Sequence, residues 1–319
     1  MPVLHLTESE VRSLLDMPSV LDAVEEAFRQ LAAGEAHNIP RQRARAPGVI
    51  LHTMSAGAGF LGLVGWKCYT TTAAGARFHV ALYNQKTGRM TAWIEADHLG
   101  RMRTGAATGV AAQWMAAPEA TEMGLIGTGR QAEWQLAALA VVRNLTKAFV
   151  YGRDAARRQE FCERMSTALN LELIPVDRPQ DAVEDLPIVV TATTAHDPVF
   201  DGHWLAEGSF VAAVGSNSLN RAELDATAVR RADTVVCDSV ECCRREAGDF
   251  VDALERGVFN WSQAADLANV VAGRASPRHG PAGIGLFKSV GMAIEDVAVG
   301  ALLMKRAAER GIGTPLPID

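Results

Sequence analysis

The chain has 319 residues, 31 basic against 37 acidic, of which 48% are apolar and 21% charged; this length predicts more than one domain, and the composition excludes a disordered or fibrous protein. The mildly acidic balance, without a basic run fit to track a phosphate backbone, excludes nucleic acid as an expected partner. No apolar stretch is long enough to cross a bilayer, and the opening MPVLHLTESEVRS meets acidic residues before any apolar region, so the expectation is a cytoplasmic protein without a membrane partner.

In chain order, Thr7 and Glu10 stand in the spacing of a capping box, and Leu21, Val24, Phe28 and Leu31 then share one helical face, predicting two opening helices. From about residue 39 to 96 the pattern shortens into runs such as VILHTM, LGLVGWKCYTTT, FHVALYN and TAWIEA between turns, which predicts antiparallel strands. Lys67 lies inside one of these apolar runs. A lysine there either lays its stem along a sheet edge with the head in water or has a chemical task. LGRMRTGAATGVAAQWMAA predicts a helix rich in small residues, and Pro118 marks the boundary of the next domain. Beyond it MGLIGTG, KAFVYGR, LELIPVD, PIVVTATT, SFVAAVGSN and DTVVCD alternate with helical patterns, the signature of a parallel sheet with crossover helices. The tail, with Met292, Ile294, Val297, Leu302 and Leu303, predicts a long helix. Five cysteines without a C-x-x-C pair, and histidines that are scattered, predict buried thiols in a reducing compartment and no metal site.

Gly127, Gly129 and Ala132 form G-x-G-x-x-A directly after a predicted strand and at the start of a predicted helix. The first glycine permits a tight turn, the second lets backbone amides approach a pyrophosphate, and the alanine lets helix and strand pack closely. Thr128, Arg130 and Gln131 belong to the same cofactor-binding turn. After the second strand, where an acidic residue for ribose hydroxyls is usual, the chain reads Tyr151, Gly152, Arg153, Asp154. Arg153, with Arg157 or Arg158, would meet a ribose phosphate, so NADP(H) is favoured; Asp154 keeps NAD(H) as the alternative.

RTGA at 103–106, GTGRQA at 127–132 and FKSVGMAIED at 287–296, in this order, resemble the ornithine cyclodeaminase/mu-crystallin family over nearly the whole chain. The resemblance implies an α/β protein: a Rossmann domain with a parallel sheet over 119–284, and a discontinuous α+β substrate and dimerisation domain built from 1–118 and 285–319. It also implies a homodimer. Ser289, Val290 and Gly291 are then expected near the nicotinamide end, with Thr193, Thr194 and Val214 lining the cofactor cleft.

The same resemblance assigns chemistry. Arg41 matches an arginine that clamps the carboxylate of a small imino or amino acid, and Arg103 one near both that carboxylate and the cofactor. A planar guanidinium suits this task because it can hold a carboxylate by two parallel hydrogen bonds. Lys67 matches the active-site lysine. Beside two arginines in a low-dielectric cleft its ammonium form is disfavoured, which fits it to protonate a developing amine near neutral pH. His79, on a neighbouring strand, is a candidate substrate donor. Asn217 in VGSNSLNRAEL stands where cyclodeaminases carry an aspartate, and an amide cannot act as a carboxylate base. The expected activity is NAD(P)H-dependent reduction of Δ1-pyrroline-2-carboxylate or Δ1-piperideine-2-carboxylate to the L-amino acid. The alternatives are a linear imino or oxo acid reductase of the alanine dehydrogenase type, ornithine cyclodeaminase, and a non-catalytic NADPH-dependent binder.

Overall fold

The computed structural model describes residues 2–317. A short strand that periodicity does not announce, β1 (Val3–Leu6), precedes α1 (Glu8–Leu14) and α2 (Met17–Ala33). The capping box is formed: the Thr7 amide donates to Glu10 Oε2 at 2.8 Å, and the Thr7 side chain accepts from the Glu10 amide. Asp16 caps α2, and Gly34, at φ +81°, ends it in the left-handed conformation that glycine adopts at least cost. Leu21, Val24 and Phe28 are buried on one face of α2, as the spacing predicts.

Five antiparallel strands follow: β2 (Ala36–Ala46), β3 (Val49–Ala58), β4 (Leu63–Thr72), β5 (Gly75–Asn84) and β6 (Met90–Glu95). Next come α3 (Asp97–Met115), β7 (Glu122–Ile126), α4 (Arg130–Val142), β8 (Lys147–Tyr151), α5 (Ala155–Leu169) and β9 (Glu172–Pro175). The chain continues through β10 (Ile188–Thr191), β11 (Phe210–Ala213), α6 (Ala226–Arg231), β12 (Thr234–Cys237), α7 (Val240–Glu246) and α8 (Val251–Glu255). It closes with β13 (Ala264–Asp266), α9 (Leu267–Val271), β14 (Gly285–Lys288), α10 (Ala293–Arg310) and β15 (Thr314–Leu316). The tail helix is therefore preceded by a strand, since GLFK pairs in parallel with β11 and β12.

Two compact units divide the chain. The first holds the residues up to Arg103 together with those from Gly291 onward, and the second holds 104–290. The first seam falls inside α3, upstream of Pro118.

In the first unit seven strands run in the order β15-β1-β6-β5-β4-β3-β2. One face is covered by α10, whose Val297 lies where a Cβ on Gly65 would come within 2.9 Å, so a glycine is what lets helix and sheet approach there. Leu82, Ile94 and Phe28 fill this core, each fully buried and each worth about 1.5–3 kcal/mol of hydrophobic stabilisation.

In the second unit all neighbouring strands are parallel, in the order β13-β12-β14-β11-β10-β7-β8-β9. The run β9-β8-β7-β10-β11 is the doubly wound order, which reverses direction between β7 and β10. Strands β10, β11, β12 and β14 are buried throughout, the near-continuous apolar run that a parallel sheet covered on both faces requires. Among the described residues no helix is long and apolar enough to cross a membrane.

Candidate active site

Alternation along β4 turns Leu63, Gly65, Lys67 and Tyr69 toward the covered face. Lys67 is 3% exposed, and its Nζ lies 2.7 Å from Asp296 Oδ1. Asp296 and Glu295 stand in the first turn of α10, where the helix dipole favours negative charge. Arg103 spans both: its Nε donates to Asp296 Oδ1 at 3.2 Å and its Nη1 to Glu295 Oε2 at 2.8 Å. The fifth member, Arg41, comes from β2, where the register slips between Ile39 and Gln42 and both Pro40 and Arg41 turn inward. A bulge of this kind re-aims a side chain that strict alternation would send elsewhere. The Arg41 Nη2 donates to the Gly291 carbonyl at 3.5 Å.

Two glycines make room for this cluster. A Cβ on Gly100 would sit 2.7 Å from Lys67 Nζ, and one on Gly291, already at φ +83°, would sit 2.6 Å from Arg103 Nη1.

Burial, then the Arg103 guanidinium, pulls the Lys67 pKa from 10.5 down to about 8; Asp296 opposes this and Arg41 adds to it. Burial also works against the charge on Arg103, but the Asp296 and Glu295 carboxylates overcome it and raise its pKa. The arrangement thus holds one proton loosely, on Lys67, between guanidiniums that never release theirs.

His79 does not join this cluster. The two-residue turn between β4 and β5 pairs Thr72 with Gly75, which sets Lys67 opposite Val80 and Cys68 opposite His79. His79 therefore leaves the other face of the sheet, where its ring lies 5.3 Å from that of Trp93.

In the second unit the fingerprint residues sit as the motif predicts, at the carboxyl end of β7. Gly127 is at φ +121°, and a Cβ there would meet the Ala192 carbonyl at 2.5 Å. Gly129 caps α4 without a side-chain hydrogen bond and opens onto space with nothing within 4 Å of a Cβ position, while Ala132 is fully buried. An uncapped helix start facing open space, with Thr128, Arg130 and Gln131 around it, fits a pyrophosphate. Thr193, Thr194, Val214 and Asn217 lie just beyond β10 and β11, and Ser289 and Val290 just beyond β14. Asp238 accepts from both the Ser289 hydroxyl and the Val290 amide at 2.8 Å.

After β8, Asp154 caps α5 by accepting from the Arg157 amide at 3.0 Å, and Arg153 is exposed. Arg158 is buried and donates to the Gly152 carbonyl and to the exposed Asp177 carboxylate, so its guanidinium already has partners.

Asp296 and Glu295 escape a reading by sequence, although both lie in the quoted stretch FKSVGMAIED. Nothing local distinguishes them from acidic residues placed to favour a helix start. Gly100 is likewise visible only once Lys67 is in place.

The sequence profile of the ornithine cyclodeaminase/mu-crystallin family matches residues 3–311. The chain is 29% identical over 324 residues to a Δ1-pyrroline-2-carboxylate reductase of Bacillus cereus, with 98% of each chain covered. Among solved structures it resembles the Δ1-pyrroline-2-carboxylate reductase of Thermococcus litoralis in complex with NADH and L-proline, at TM-score 0.94 and 33% identity over 98% of this chain and 100% of that one. It also resembles an archaeal alanine dehydrogenase dimer with bound NAD, at TM-score 0.94 and 28% identity over the whole of both chains.

Proposed function

Because this chain belongs to the ornithine cyclodeaminase/mu-crystallin family, and is an NAD(P)-dependent oxidoreductase acting on C–N bonds, we propose that it reduces a small cyclic ketimine carboxylate to the L-amino acid. Δ1-Pyrroline-2-carboxylate and Δ1-piperideine-2-carboxylate are the proposed substrates. The observation that carries this reading is the buried Lys67, with a pKa of about 8, held 2.7 Å from Asp296 and flanked by guanidiniums.

Charge counting supports it. Lys67, Arg41 and Arg103 bring three positive charges and Glu295 and Asp296 two negative ones, so the set is left with one net positive charge in a buried place. One substrate carboxylate neutralises it, and Arg41 is the guanidinium proposed to hold that carboxylate. Arg103, fixed by two carboxylates, orients Asp296 and keeps the potential positive. The dinucleotide, when bound, supplies a hydride to the imine carbon. Lys67 supplies the matching proton to the imine nitrogen, becoming a neutral amine; the double bond becomes a secondary amine and the balance closes.

Gly127, Gly129 and the start of α4 are proposed to hold the pyrophosphate. Arg153 favours a 2′-phosphate, and hence NADPH, since the Asp154 carboxylate already accepts from a backbone amide. Asn217 speaks against cyclodeamination of ornithine, because an amide carries no charge to balance a substrate ammonium. We further propose a homodimer through the sheet face that His79 shares, where Ile39 is 38% and Val64 44% exposed.

The test is oxidation of NADH and NADPH with the two cyclic ketimines, and with pyruvate plus ammonia. Turnover with a ketimine and faster consumption of NADPH are expected. Activity confined to pyruvate and ammonia would replace the reading by the alanine dehydrogenase type, and bound dinucleotide without turnover of any imine would leave a binding protein.

A further inference from the structure

Strands β10 and β11 end at Thr191 and Ala213, and beyond those ends the backbone amides of Thr193 and Gly215 have left the ladder. Both are taken up by one side chain. Glu223 is fully buried, and its Oε1 accepts from the Thr193 amide at 2.7 Å while its Oε2 accepts from the Gly215 amide at 2.6 Å. The two loops touch: a Cβ on Gly215 would lie 2.2 Å from the Thr193 carbonyl oxygen and 2.5 Å from Glu223 Oε1. Glu223 is itself held from behind. Asp249 Oδ1 accepts from the Glu223 amide at 2.6 Å and from the Leu224 amide at 3.2 Å, and Asp249 Oδ2 lies 2.7 Å from Lys288 Nζ. Lys288 is the last residue of β14 and precedes Ser289 and Val290.

We propose that Glu223 is a positioning residue for the dinucleotide, its carboxylate clamping the loops after β10 and β11 in the arrangement that receives the half of the cofactor bound beyond the strand reversal. In a doubly wound sheet one mononucleotide half lies over the first βαβ unit, here β7-α4-β8, and the other over the strands past the reversal, here β10 and β11. The Glu223 clamp acts only on the second set. Two loops, each tied by one charge-assisted hydrogen bond to the same fully buried anchor, are preorganised, so binding there does not have to order them. The inference rests on dinucleotide use, as proposed above.

Glu223→Gln keeps the shape but turns an NH₂ group toward one of the two amides, setting donor against donor. The experiment titrates NADH and ADP into wild type, Glu223→Gln and Glu223→Asp, all full length. For Glu223→Gln the NADH dissociation constant is expected to rise about tenfold or more, the scale of a lost hydrogen bond to a charged group. ADP affinity should stay within about twofold of wild type, because its site lies on the other half of the sheet. Glu223→Asp, which keeps both acceptors, should recover part of the loss. Equal weakening of NADH and ADP, or no weakening of NADH, overturns the proposal while leaving the oxidoreductase reading intact. A wild type that binds ADP but no dinucleotide overturns both. Should Glu223→Gln fail to fold, amide exchange on the wild type decides the question. The Thr193 and Gly215 amides must exchange slowly before cofactor is added; protection that arises only with NADH contradicts a preformed clamp.

Discussion

Each unit of this protein buries one lysine beside carboxylates, and the two lysines are driven in opposite directions. Lys67, 3% exposed, has guanidiniums as well as carboxylates around it, and burial with Arg103 brings its pKa down to about 8. Lys288, fully buried, faces Asp249 and Glu223; burial pulls its pKa down as well, but the two carboxylates overcome this and leave it raised. Burial alone therefore does not make a lysine reactive. The sign of its neighbours decides whether the proton is labile, as chemistry needs, or permanent, as a scaffold needs.

The largest effect that separates the two is on turnover. Lys67→Met is expected to lower kcat by about 10²–10⁴-fold, the usual contribution of a positioned acid, with dinucleotide affinity unchanged. Lys288→Met leaves Asp249 and Glu223 buried without their cation, and is expected to destabilise the fold by about 3–5 kcal/mol, read as a shift in the urea midpoint. A Lys67→Met enzyme that still reduces imines would erase the distinction.

A subtler change sharpens it. The ammonium form of Lys67 is the acid, so kcat/KM for reduction should fall as pH rises through about 8. Asp296 is the partner that holds this pKa up. Asp296→Asn should therefore move the falling limb to lower pH. A limb that stays in place or moves up would remove Asp296 from the account.

What could be read in the sequence divides along the same line. The second unit is legible because its turn and strand signals are local: G-x-G-x-x-A follows β7 and opens α4. For the lysine half, the sequence showed an anomaly at Lys67 but not its partner, because Asp296 lies 229 residues away along the chain. The face that His79 takes follows from local sequence. The turn between TTT and GARFH has two residues, which fixes the pairing and puts residues 67 and 79 out of phase on a period of two. Strand β1 was hidden by its length, four residues whose order comes from pairing with β6 and β15 rather than from any pattern of their own.

The smallest effect concerns stability in acid. Burial, with Arg43, Arg41 and Arg45, lowers the His52 pKa from 6.5 to about 4, while its ring stacks on Tyr69 at 4.2 Å. The unfolded chain takes up this proton below about 6.5 and the folded one resists until about 4, so stability is lost as pH falls through that window. In His52→Gln the drop in urea midpoint between those pH values should be shallower than in wild type; an equal slope would mean that His52 titrates normally.

The contrast between the two lysines can be observed directly, because the chain has only five: Lys67, Lys86, Lys147, Lys288 and Lys305. With lysine labelled by ¹³C at Cε, pH titration followed by NMR resolves each one. One signal, absent in Lys67→Met, should titrate near pH 8, while the signal absent in Lys288→Met should stay in its charged position past the ordinary lysine value of 10.5. A Lys67 signal that titrates near the ordinary lysine value of 10.5 would contradict the account.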